Sequence, residues 1–247
     1  MEYKYTNDKK SLAKHDVHII GVFSDKKLNH VESVISRESL VEIKRIIKTC
    51  NFTGKVGDHR TIDDFQTKKQ IVLFGLGEKK KYGPLLIKKT LTQIIKKIIQ
   101  TNISSVLISI DNLLSTDANE VTLEMIITSI ENSKYVYRYK DEKDQLKIKN
   151  ITLMSKKKIS TNDFKQTLKI SLAISNGISL AKELGNTPPN VCTPTFLANS
   201  IKKLKSKYRA LKIKVIDEPE MKRLGMGAFL SVSKGSKQPG KIVVIEH

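Results

Sequence analysis

Apolar residues recur along the chain in two rhythms. Short unbroken runs stand at Asp16–Phe23 (DVHIIGVF), Ile71–Phe74, Ser105–Ile110 and Ile151–Met154, the last shortly after Ile148. Runs of this length, rich in β-branched residues, predict buried strands. Between them the spacing changes. Residues 31–49 carry Val31, Val34, Ile35, Leu40, Ile43, Ile46 and Ile47 among charges, which predicts a helix. Pro84 suits a first helical turn, and the Leu85, Leu91, Ile94, Ile95, Ile98, Ile99 stripe after it predicts a second. Residues 121–137 predict a third. Strands alternating with helices imply an α/β layered domain on a mixed or largely parallel sheet. Ile71–Phe74 is read as a central strand ended by a turn at Gly75-Leu76-Gly77.

The polar stretch 155–162 marks a domain boundary, so residues 1–160 form the amino-terminal domain. A linker helix follows over 161–185, with Phe164, Leu168, Leu172, Ala173, Ile178, Ala181 and Leu184 as its buried stripe and Gly185 as its stop. Pro188 and Pro189 forbid continuation. Thr193-Pro194 then starts another helix, a capping hydroxyl before a first-turn proline, with Phe196, Leu197, Ile201 and Leu204 expected inside. Leu211–Ile216 predicts a strand, Pro219–Leu224 a short helix ending at Gly225, and Lys241–His247 a buried strand. With so few elements over 163–247, residues 186–247 are expected to be the incomplete start of a further α/β domain.

A hydrophobic share of 39% and a charged share of 28% match an ordinary globular protein. No run of about 18 apolar residues predicts a membrane span. The polar start, MEYKYTND, has no signal-type apolar core, so a cytoplasmic setting is expected. Cys50 and Cys192 form neither a metal spacing nor a disulfide scaffold, and Asn51 and Asn102 in their glycosylation-type triplets are read as chance matches. Net charge is +20, which attracts polyanions. Yet only six of the 45 basic residues are arginine, the residue best suited to reading bases. A lysine-, isoleucine- and asparagine-rich composition is the plainer source of the charge.

Candidate chemistry is sparse. His15, His18, His30, His59 and His247 make no paired-ligand spacing, and His18 is expected to be a packed strand residue. No Gly-x-Ser-x-Gly elbow occurs. Asp63-Asp64 and Asp141-Glu142 are neighbours that point apart. Gly75-Leu76-Gly77 resembles the start of a phosphate loop, but Lys80 stands where a third glycine belongs, so a tight turn is preferred. Cys192 is expected to be a buried, inert thiol.

From residue 177 onward, Gly177–Asn190 (GISLAKELGNTPPN), Thr193–Ala198 (TPTFLA), Met221, Leu224–Val232 (LGMGAFLSV), Gly235-Ser236 and the terminal IVVIEH resemble the M17 leucine aminopeptidases. Gln238-Pro239-Gly240 departs from the family's usual double proline. The resemblance implies a macro-like amino-terminal domain and a metal-dependent peptidase that removes amino-terminal residues, leucine by preference, from peptides. It also implies two divalent ions (Mn or Zn), which activate water and polarise the scissile carbonyl, and a homohexamer. Some bacterial members also bind DNA, so a non-enzymatic DNA-binding or regulatory module is the alternative reading. The family's ligand runs, Val-Gly-Lys-Gly to Phe-Asp-Ser/Thr-Gly-Gly and Asn-Thr-Asp-Ala-Glu-Gly-Arg, do not occur in these residues. Lys241, followed by Ile242, cannot replace the ligand lysine. No catalytic, metal-binding or cofactor-binding residue is therefore assigned, and this chain alone is expected to be an inactive front portion of such an enzyme.

Overall fold

The computed structural model describes residues 1–8, 14–26, 28, 35, 37–64, 69–99, 101–111, 113, 120–137, 147–156 and 158–247. They fall into two compact units, one formed by Met1–Val136 with Asp141–Ser179 and the other chiefly by Leu180–His247.

The first unit is built on a six-stranded sheet. Its strands are β1 (Glu2–Thr6), β2 (Val17–Phe23), β3 (His59–Asp64), β4 (Lys69–Gly77), β5 (Ser105–Ser109) and β6 (Asn150–Met154). They lie in the order β1-β6-β5-β2-β4-β3, all parallel except β3, which runs antiparallel to β4. Helices α1 (Arg37–Thr49), α2 (Pro84–Ile99), α3 (Glu120–Ser133) and the first part of α4 (Thr161–Asn186) complete the unit. The mixed α/β fold is the one the alternating rhythms predict.

Both faces of the middle strands are covered, which explains their unbroken apolar runs. On one face Ile19, Val72, Phe74, Val106, Ile108 and Ile151 pack with Leu91, Ile95, Ile126, Ile127 and Phe164 from α2, α3 and α4. On the other, Ile20, Val22, Ile71 and Leu73 pack with Ile43 and Ile47 of α1 and with Phe52. At about 25 cal/mol per Å², burying such side chains is the main force closing the unit. Of the stripe read over 31–49, Val31 and Val34 lie outside the described residues.

Several expectations change. Neither edge strand, β1 nor β3, is announced by an apolar run, because each is covered on one side only and alternates with polar residues. Gly75-Leu76-Gly77 is not a turn after the strand: all three residues belong to β4, which ends at Gly77 and lies second from the sheet edge beside β3. In α4 the buried positions are Phe164, Thr167, Ser171 and Ser175, whereas Ala173 and Ala181 are exposed. Small hydroxyl side chains serve there as spacers, and Ser171 returns its hydroxyl to Thr167 O at 2.7 Å. Gly185 lies inside α4; the helix ends at Asn186 because Thr187 precedes a proline.

The second unit carries α5 (Pro194–Lys207), β7 (Lys212–Asp217), α6 (Glu218–Arg223), α7 (Gly227–Ser233) and β8 (Lys241–Glu246). The strands pair antiparallel, Ile213 opposite Ile245 and Val215 opposite Val243, and α5 packs on both. Thr193 caps α5, its hydroxyl accepting from Phe196 N at 3.2 Å. Gly225, at φ 70°, makes the left-handed turn after α6. Ala198 and Met221 are buried, but Phe196, Leu197, Val244 and Ile245 are exposed, against the inward positions expected for this helix and strand. Only part of each apolar surface meets a partner within this unit. Helix α7 has no sequence expectation behind it.

Candidate functional site

The residues carrying the family-like motifs all sit in the second unit or at the end of α4. Pro188 O accepts from Val191 N at 2.9 Å and from Cys192 N at 2.8 Å, folding the proline segment into a tight turn before α5. Cys192 is half-buried rather than enclosed.

Glu218 organises the rest. Its Oε1 accepts from Gly240 N at 2.8 Å and from the Ser233 hydroxyl at 2.9 Å. It thereby ties the start of α6 to the end of α7 and to the residue before β8. These bonds, the Gly240 amide first and the Ser233 hydroxyl next, hold the Glu218 carboxyl below the usual glutamate range. Alongside lies a cleft of about 460 Å³ that includes Lys222, Lys234 and Lys237 together with Ser236 of the Gly235-Ser236 motif. Ion pairs also tie its strands and turns. Lys241 Nζ donates to Asp217 Oδ1 at 2.7 Å, and Lys214 Nζ to Glu220 Oε1 at 2.9 Å.

This donor set does not suit a divalent metal ion. One carboxylate that already accepts two hydrogen bonds, ringed by three lysines, repels a cation more than it holds one. Among the described residues no three histidine, cysteine, aspartate or glutamate side chains converge as ligands. The cleft's chemistry is that of a clamped turn with a cationic rim.

Elsewhere the sequence candidates disperse. His18 is buried in the first unit and hydrogen-bonds to Ser109 Oγ at 2.8 Å, while His15 does so to Thr152 Oγ1 at 2.7 Å. Burial first, and the neighbouring His15 second, push the His18 imidazole down to about 3, so it stays neutral. Asp63 accepts from Gln70 Nε2 at 3.1 Å across the β3–β4 pair. His30 and Asp141-Glu142 lie outside the described residues.

The phosphate-loop reading of Gly75-Leu76-Gly77 fails on geometry. Gly75 N donates to Asp58 O, and Gly77 N to Gly54 O, both at 2.8 Å. The amides that would cradle a phosphate are already committed to the chain's own 54–58 loop. The Glu218 clamp was not legible beforehand: its partners stand 15 and 22 positions away, and no short motif joins them.

Fold and motif positions together define a two-part α/β protein in which a long helix leads from a mixed-sheet domain into a second α/β unit. Residues 19–143 match the family model described as "Cytosol aminopeptidase family, N-terminal domain". Residues 179–247 match its companion, "Cytosol aminopeptidase family, catalytic domain". The chain belongs to the cytosol aminopeptidase family. It is 30% identical to a probable cytosol aminopeptidase of Nitrosococcus oceani over 236 residues, which cover 93% of this chain and 47% of that protein. With the cytosol aminopeptidase of Pseudomonas aeruginosa it shares 29% identity over 235 residues and the same coverage. The chain thus spans about half the length of the curated relatives it matches. Its fold superposes on a mutant of tomato leucine aminopeptidase with TM-score 0.82 at 18% identity, covering 99% of this chain and 50% of the other. The bottromycin maturation enzyme BotP in complex with Mn superposes with TM-score 0.68 at 15% identity, over 94% and 45% of the two chains. No helix among the described residues is long and apolar enough to cross a membrane.

Proposed function

We propose that residues 1–160, 161–185 and 186–247 are the amino-terminal domain, linker helix and opening of the catalytic domain of a metal-dependent leucyl aminopeptidase. That enzyme removes amino-terminal residues from peptides in the cytoplasm, as a homohexamer using two Mn or Zn ions. The observation carrying this reading is that both halves of the family pattern occur in order on one chain, at 19–143 and 179–247. The complex named for BotP contains Mn, which supports a metal-dependent chemistry for the family's fold.

The two ligand runs that the family resemblance implies are absent from these 247 residues, so this chain by itself hydrolyses no peptide. The test is hydrolysis of leucine p-nitroanilide with added Mn²⁺ or Zn²⁺, measured for the 247-residue chain and for the native gene product. No turnover by the chain and metal-dependent turnover by the gene product are expected. An inactive gene product would overturn the aminopeptidase reading; turnover by the chain alone would overturn the placement of the ligands.

A further inference from the structure

We propose that the first unit carries a binding site for a compact organic anion with an apolar body, an aryl or branched-chain carboxylate. The site is a cavity of about 350 Å³ between the flank of α2 and the β3–β4 pair, large enough for a small ligand. His59 lies opposite Phe74 in the antiparallel register, so both project to the α2 side of the sheet. The floor is apolar: Phe74 and Ile94 are buried. Thr90 adds no free hydroxyl there, since its Oγ1 donates back to Leu86 O at 2.8 Å.

The rim is cationic. Lys97 Nζ stands 3.0 and 3.1 Å from the two ring nitrogens of His59, and Lys96 precedes it on the same helical turn. Helix α2 contains four lysines and no acidic residue. Among the described residues Asp58 is the one carboxylate lining the cavity, and it is engaged elsewhere. Its oxygens accept from Thr53 N at 2.6 Å, Thr53 Oγ1 at 3.0 Å and Arg60 Nη1 at 3.1 Å. An ammonium pressed against an imidazole over an apolar floor is the electrostatic complement of an anion. The floor selects among anions. Gly75 N–H, the amide that could serve a phosphate there, is donated to Asp58 O, so an apolar body with a single negative group fits better than inorganic phosphate.

Titrating 2-naphthoate into the ¹⁵N-labelled 247-residue chain tests this. Saturable amide shifts are expected at Gly57, His59, Gln93 and Lys97. Lys97→Met should weaken binding about tenfold, the size of one charge-assisted contact. Gln93→Trp, at an exposed position, should block the cavity. Neither 2-naphthylmethylammonium nor inorganic phosphate should saturate. The proposal is overturned if no saturation occurs up to about 10 mM, an affinity too weak for a built site. It is equally overturned if the ammonium analogue or phosphate binds as well, or if Lys97→Met binds unchanged.

Discussion

A Cβ atom placed on Gly75 would stand 1.9 Å from the carbonyl oxygen of Lys55. Backbone meets backbone there, so neither side can swing away. The loop at 54–58 lies directly on β4, and its carbonyls take the Gly75 and Gly77 amides. Strand β4 needs glycine because another stretch of chain needs its surface.

Gly75→Ala should therefore destabilise the first unit by about 3 kcal/mol or more, the upper range for overpacking. Gly83→Ala is the control, since a Cβ there meets nothing within 4 Å. Denaturant midpoints followed by circular dichroism compare the two. Equal midpoints would show that the loop yields freely.

Stability of the first unit should fall on acidification. His18 is held neutral down to about 3, whereas the unfolded chain takes up that proton near its ordinary value of about 6.5. Between those two values the unfolded state binds more protons. The stabilisation is complete above about 6.5 and is lost as pH falls toward 3, by at most about 1.4 kcal/mol per pH unit. The check is the slope of unfolding free energy against pH, which should be shallower in His18→Gln.

Thr193→Ala removes the hydroxyl that caps α5. The expected cost is about 1 kcal/mol, seen as faster amide exchange at Phe196 and neighbouring first-turn residues. Thr193→Ser should restore the protection. An unchanged exchange rate in the alanine variant would mean that solvent satisfies those amides equally well.

Glu218→Ala frees both the Gly240 amide and the Ser233 hydroxyl. Exchange at Gly240 should rise about tenfold as the clamp opens, with little change in the first unit. If the amide stays protected, the 234–240 turn is held by something other than Glu218.

In the first unit, the strands that the sequence revealed are those whose surroundings are uniform. β2, β5 and β6 are buried along nearly their whole length, so apolarity alone announces them. The edge strands β1 and β3 escaped because one-sided burial leaves only Tyr3 and Ile62 fully inside. In α4 the buried face carries Thr167, Ser171 and Ser175 beside Phe164 in place of an apolar stripe, since close approach to the unit's core asks for small volume rather than hydrophobicity. Exposed Phe196 and Leu197 mark the opposite error: apolar character says that a surface is to be covered, not that the same unit covers it.

Local chemistry was enough to specify the rhythm of strands and helices, the Thr193-Pro194 helix start, the turn at Gly225 and the motif order that marks the family. These depend on residues within a few positions of one another, where spacing and backbone preference act directly. Tertiary structure alone decided that Gly75 belongs inside a strand, that Glu218 joins Ser233 to Gly240, and that His59 meets Lys97 across a cavity. Each of those relationships unites positions roughly 15 to 40 apart, and at such separations only the path of the folded backbone determines which groups meet.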